Sequence, residues 1–326
     1  MNVDRVLIPT DLSEKSNAAL QSADLFIEKF NCTVDLMHVI PLSKYLGDSF
    51  DTLGVPLDMD NDIYPKIVEN QRKKLSAFAN EHIKKKENRG EYLITIDRKP
   101  SDSILKQIEK GRYDLVIMSA KGEHHAEFFH GSATDKIIRR SKTPVLTLSD
   151  KMNSENINTI VVPCDYSEHS MAAIPMAFDV AEKFNAKIEL LNVIEMYAYD
   201  VQDIEPVALS IDEKNVYGGL KGRLKTFFED HKDFKFSIED GKEDFEDILV
   251  RQEEGGEVKI GYKSVILKSV VAHHEIVDYA NSNADLVVMS THGRTGLSRM
   301  LLGSTTEQVI QHLEKPQITI KPDLEE

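Results

Sequence analysis

The chain holds 326 residues, enough for two ordinary domains that each bury a core of their own. Lys and Arg number 40 against 55 Asp and Glu, and the resulting charge of −15 argues against general binding to a phosphate backbone. There is no apolar run of bilayer length, the opening MNVDRVLIPTD has no secretory pattern, and Cys32 and Cys164 form no CxxC pair, so a cytoplasmic chain with reduced thiols and no membrane partner is expected.

Val6 to Ile8 reads as a first strand, followed by PTDLSEKS. Ser13 is placed to cap a helix along which Ala18, Ala19, Leu20, Ala23, Phe26, Ile27 and Phe30 recur at helical spacing. Thr33 to Ile40 returns as a strand, which makes a parallel unit with a right-handed crossover. Pro41 to Tyr64 is loop-like, and Pro65 to Lys86 is a charged amphipathic helix. A strand at Tyr92 to Ile96, a helix over Asp102 to Glu109 and a strand at Asp114 to Met118 come next. A loop with Gly122, Gly131 and Ser132 leads to a helix toward Arg140 and a fifth strand, Thr143 to Leu148.

The same order then begins again. IVVPCDYSEHS at Ile160 to Ser170 matches VLIPTDLSEKS at Val6 to Ser16, and ADLVVMSTHG later matches YDLVIMSAKG. Asp165 answers Asp11 and Asp285 answers Asp114, so the second copy is 17 residues longer between these points. The extra residues are expected around Phe236 to Gly261. A repeat of this length is a duplicated domain, residues 1–150 and 151–326, with the boundary in the polar stretch SDKMNSENIN. Strands alternating with helices predict two tandem doubly wound α/β domains, each with a five-stranded parallel sheet covered on both faces.

Ligands of such sheets sit beyond the carboxyl ends of the strands, where strand order reverses. This brings Pro163 to Asp165 near Met289 to Gly293. Gly303 and Ser304 open a last helix ten residues after Gly293. Glycines admit a ligand to the backbone, Ser304 can cap or donate, and the free N–H groups of a first helical turn attract an anion such as phosphate. On the residues alone, the alternative that Gly293 and Gly303 merely shape a connection stays open, as does a turn role for Asp11 and Asp165.

These motifs resemble the universal stress protein family in its tandem form, over nearly the whole chain. The family's ATP-binding branch carries Gly, two residues, Gly, nine residues, then Gly and Ser or Thr. The second copy has Ser290, Thr291, His292, Gly293, nine residues, Gly303, Ser304, with Ser290 in place of the first glycine. The resemblance implies an adenine nucleotide alpha hydrolase-like, Rossmann-like fold that binds ATP, with magnesium as its companion ion. It places Pro163 and Asp165 at the cleft wall and the backbone of Val193 and Met289 near the adenine. Ser290 and Gly293 would line the ribose and phosphate path, and Gly303, Ser304 and Thr305 would hold phosphates. The first copy has Ser119, Ala120, Lys121, Gly122, only eight residues, Gly131 and Ser132, with Glu123, Glu127, Phe128 and Phe129 in the loop, so it is expected to be empty. The resemblance further implies an intramolecular pseudo-dimer through the strands Thr143 to Leu148 and Pro316 to Ile320, association of whole chains as a homodimer, and an unnamed protein partner.

Other signals point to bland roles. His124, His125 and His130 lack the cysteine pair of a zinc site, and Asp58, Asp60, Asp62 and Glu69 lack the glycine of a calcium loop, so no metal site is expected. His273 and His274 are expected at the surface, and the acidic run after Ile238 as a solvated helix start. No Walker loop or ordered Ser, His and Asp set is present, so a nucleotide-responsive regulator of the stress response is expected rather than an enzyme. A slow ATP hydrolase or adenylyl-transferring enzyme, and a nucleotide-free interaction scaffold, are the two alternatives.

Overall fold

The computed structural model describes residues 3–42, 64–120, 132–153, 157–196, 212–292 and 302–322. The chain divides into two compact units, Asn2–Ser154 and Glu155–Glu326.

In the first unit the strands are β1 (Arg5–Pro9), β2 (Thr33–Pro41), β3 (Arg89–Asp97), β4 (Leu115–Ser119) and β5 (Val145–Leu148). They pair in the order β3-β2-β1-β4-β5, all parallel, so strand order reverses between β1 and β4. Val6, Leu7, Ile8, Leu36, Ile117 and Leu146 are fully buried, as apolar strands covered on both faces should be. The connecting helices are α1 (Asn17–Gln21), α2 (Ala23–Phe30), α3 (Tyr64–His82), α4 (Pro100–Gly111) and α5 (Ser132–Arg140).

The periodicity from Ala18 to Phe30 predicts one helix, and the structure breaks it at Ser22. The Ser22 hydroxyl turns back to the Ala18 carbonyl at 2.8 Å and accepts the Met152 N–H at 2.9 Å, so a contact from the far end of the unit ends the first segment. Ser13 accepts the Ser16 N–H at 3.2 Å at the start of this region. Helix α2 ends on Asn31 in the left-handed region (φ 54°), a backbone position that asparagine tolerates.

The second unit repeats this plan with β6 (Thr159–Pro163), β7 (Lys187–Glu195), β8 (Phe236–Asp240), β9 (Glu246–Glu253), β10 (Gly256–Ser269), β11 (Leu286–Ser290) and β12 (Gln317–Ile320). Its helices are α6 (Glu168–Met171), α7 (Ile174–Phe184), α8 (Glu213–Asp230), α9 (Ala272–Asn283) and α10 (Ser304–His312). Helix α7 ends on Asn185 at φ 54°, repeating the cap of α2. Strand order is β12-β11-β6-β7-β10-β9-β8, with reversal between β6 and β11.

The second sheet thus differs from a plain five-stranded parallel one. β10 pairs with β7 in parallel over Tyr262–Ser269 and with β9 antiparallel over Gly256–Lys263, and β8 adds a further antiparallel strand. These added strands occupy Phe236 to Gly261. The acidic run after Ile238 is therefore not a helix start: it ends β8, turns, and enters β9. Asp247 lies inside, with its side chain 1% exposed. It accepts the Tyr217 hydroxyl at 2.5 Å and the Tyr262 hydroxyl at 3.1 Å, and pairs with Lys221 at 2.5 Å. A buried carboxylate is tolerated because donors from α8 and β10 surround it.

Candidate functional site

The chain leaves β6 through Pro163, Cys164 and Asp165 and turns sharply at Tyr166, whose φ is 56°. The Asp165 carboxylate makes this turn by accepting the Ser167 N–H at 3.0 Å and the Ser167 hydroxyl at 2.6 Å. Ser167 then caps α6 by accepting the Ser170 N–H. The Asn192 amide donates to the Cys164 carbonyl at 2.9 Å, which ties β7 to the turn. Burial raises the pKa of the Tyr166 phenol, which hydrogen-bonds Ser264 on β10.

On the other side β11 ends at Met289 and Ser290, both buried. The Ser290 hydroxyl accepts the His292 N–H at 3.2 Å, and the Ser290 carbonyl accepts the Thr306 hydroxyl at 3.2 Å, so the strand end is tied to the helix that follows. The Gly303 N–H bonds the Thr291 carbonyl at 3.1 Å and Gly303 is the N-cap of α10, with no side chain capping it. The first N–H groups of α10 thus lack an intrahelical partner, the arrangement that receives anions.

Between these ends lies a cleft of about 560 Å³, within the range of small-molecule sites. Pro163 and Asp165 line it from β6 and its turn, Val193 from β7, and Met289 and Ser290 from β11. Gly303, Ser304 and Thr305 line it from the start of α10. Eight of the nine residues singled out in the sequence therefore share one cavity; Gly293 lies outside the described residues. Sequence reasoning missed Asn192, Glu195, Ala272 and Ile276, which also line it, and His292 of the expected Met289 to Gly293 stretch lines it as well. Ala272 and Ile276 come from α9, and the Ala272 N–H bonds the Glu195 carboxylate at 3.3 Å, a contact across 77 residues that no local pattern announces. No lysine or arginine is among the described residues lining the cleft.

His169 and His292 face each other with ring centroids 6.3 Å apart. His273 is half-buried and His274 exposed at the start of α9. The His273 pKa is lowered by burial and by His274 and His312, against the opposing pull of Glu195. Among the described residues no group of three or more His, Cys, Asp or Glu is arranged to hold a metal. His124, His125, His130, Asp58, Asp60 and Asp62 lie outside them.

The matching positions of the first unit are built differently. Asp11 closes the same turn on the Ser13 N–H at 3.0 Å, but Thr10 stands where Cys164 does, and His38 replaces Asn192, with its Nδ1 2.8 Å from the Thr10 carbonyl. Ser119, the counterpart of Ser290, donates to the Ser16 carbonyl at 2.9 Å and accepts the Ala19 N–H at 3.2 Å. That hydroxyl stitches the end of β4 to the first helical segment. The loop from Lys121 to Gly131 lies outside the described residues.

A model of the universal stress protein family matches residues 2–149 and again 156–321. The chain is 34% identical over 171 residues to a universal stress protein of Methanocaldococcus jannaschii, covering 52% of this chain and 85% of that one. With the universal stress protein E homolog of Haemophilus influenzae it shares 24% identity over 338 residues, 99% of this chain and 98% of the relative. The crystal structure of a universal stress protein from Archaeoglobus fulgidus has the same fold, with a TM-score of 0.58 and 20% identity over 98% of this chain and 96% of its own. Among the described residues no helix is long and apolar enough to cross a membrane. With its family pattern present twice and a relative matched from end to end, the chain belongs to the universal stress protein family, in tandem form.

Proposed function

We propose that the second unit binds an adenine nucleotide of the ATP class and that the protein acts as a nucleotide-responsive regulator rather than an efficient enzyme. The observation that carries the reading is the single cleft in which Asp165, Val193, Ser290 and the uncapped start of α10 meet. Phosphates at Gly303, Ser304 and Thr305 would be held by backbone N–H groups. With no lysine or arginine among the described lining residues, magnesium supplies the neutralising charge when bound.

The first unit is empty in this reading. Its Ser119 hydroxyl is already committed between the Ser16 carbonyl and the Ala19 N–H. Titration of magnesium and ATP into the purified chain by calorimetry tests the assignment. One site per chain is expected, lost in Gly293→Val, whose added side chain obstructs approach to the backbone. Two sites would mean that the first unit also binds; no heat at several temperatures would leave an interaction scaffold; sustained phosphate release would restore an enzymatic role.

A further inference from the structure

The two copies of the fold each end a strand on serine, Ser119 on β4 and Ser290 on β11, and use it differently. In the first unit the Ser119 hydroxyl donates to the Ser16 carbonyl and accepts the Ala19 N–H. Ser170 and Ala173 are the matching positions of the second unit, and there the Ala173 N–H bonds the Ser170 carbonyl at 3.2 Å. The two backbone groups that Ser119 joins are thus joined to each other, which leaves Ser290 out of the stitch. Its hydroxyl accepts the His292 N–H and, among the described residues, donates to no acceptor. Ser290 is 4% exposed and lines the cleft. A buried polar group calls for a partner, and here the acceptor is one that arrives with a ligand.

We propose that the Ser290 hydroxyl donates to a ribose hydroxyl of the bound nucleotide, so that the cleft selects a ribonucleotide over its deoxy counterpart. The inference rests on the nucleotide reading and adds which part of the ligand meets this side chain. The cleft runs across the ends of neighbouring strands in the order β11, β6, β7. The start of α10 is its anion-receiving end, and Val193, Ala272 and Ile276 form an apolar wall at the other, a surface that suits a planar base. A nucleotide with its phosphates on the first and its base on the second brings its pentose over β11 and β6. Ser290 stands at that place. Its carbonyl is tied to Thr306 in the first turn of α10, and the parallel register that sets Val287 beside Val161 continues to Ser290 beside Cys164. A sugar hydroxyl accepts as readily as it donates, which matches the donor that Ser290 holds. Glycine at this position would supply no such donor.

Calorimetry of the full chain with magnesium and ATP, 2′-deoxy-ATP or 3′-deoxy-ATP tests the contact. The wild type is expected to bind ATP roughly threefold to tenfold more tightly than one of the two deoxynucleotides, the size of a single hydrogen bond. In Ser290→Ala the ATP affinity falls to the level of that deoxynucleotide, whose own affinity does not change. Ser290→Gly removes the same hydroxyl and gives the same pattern. Ser119→Ala, which cuts the stitch of the first unit, lowers the thermal midpoint and leaves all three affinities where they were. Equal affinity for the three nucleotides in the wild type, or their equal weakening by Ser290→Ala, would overturn the ribose assignment, the second result in favour of a phosphate acceptor. Unchanged ATP affinity in both Ser290 variants would overturn it by leaving Ser290 a structural residue. These outcomes leave the nucleotide reading intact. No heat from any nucleotide with the wild type at several temperatures would overturn that reading itself, and the proposal with it.

Discussion

Asp247 shows how the same residue type takes opposite roles in this chain. Asp11 and Asp165 sit at strand ends and organise turns through their carboxylates, while Asp247 is buried beneath α8 and gathers two phenols and an ammonium. Burial and the Asp247 carboxylate push the Tyr217 pKa up from 10.0 to about 12. Burial alone would lower the Lys221 pKa, but its hydrogen bonds to Asp240 and Asp247 raise it. The sign for Tyr217 follows from linkage: the unfolded chain loses this proton first. The stabilising contribution is full below pH 10 and is lost as pH rises from 10 to about 12. The thermal midpoint of the wild type is expected to fall more steeply across that window than that of Tyr217→Phe. Equal slopes would remove Tyr217 from the alkaline transition.

Among the elements, Arg251 and the Phe178–Phe236 pair bind the added strands β8 and β9 to α7. Arg251 on β9 pairs with Asp179, lies 3.3 Å from Glu182, and covers the Phe178 ring at 4.6 Å. Phe178 is fully buried and meets Phe236 of β8 edge to face, with centroids 4.8 Å apart. Arg251→Met removes the guanidinium from the buried Asp179 carboxylate and is expected to destabilise the chain by about 3–5 kcal/mol in denaturant unfolding. Adding Asp179→Leu should recover part of that loss, and failure to recover any would place the cost in lost packing rather than in the broken ion pair. The repeat offset locates these extra residues in the sequence, yet their strands escape notice. β9 reads Glu-Asp-Ile-Leu-Val-Arg-Gln-Glu, a short apolar centre between charges, and only the partners on α7 and α8 explain why it is buried. The break at Ser22 is hidden for a similar reason, since Met152 supplies the bond that ends α1. Local periodicity carries no record of such distant contacts.

At the scale of the whole molecule, one fold appears twice with two different strand-end chemistries. The doubly wound order and the reversal between the first and fourth strands were legible because buried parallel strands leave short apolar runs and the repeat confirms their sequence. Part of the cleft was legible for the same reason: Pro163, Asp165, Met289 and Ser290 follow from strand ends at the reversal point, Gly303 and Ser304 from the start of the last helix, and Val193 only from the family resemblance. Glu195 and α9 were not, because they reach the cleft only once the third strand is in place. The central claim, that nucleotide binds at the second unit's strand ends and not at the first's, is tested most directly by hydrogen exchange with and without magnesium and ATP. Slowed exchange is expected in peptides spanning residues 160–170 and 286–307, with residues 6–16 and 115–132 unchanged. Equal protection of both sets, or of neither, would contradict the account.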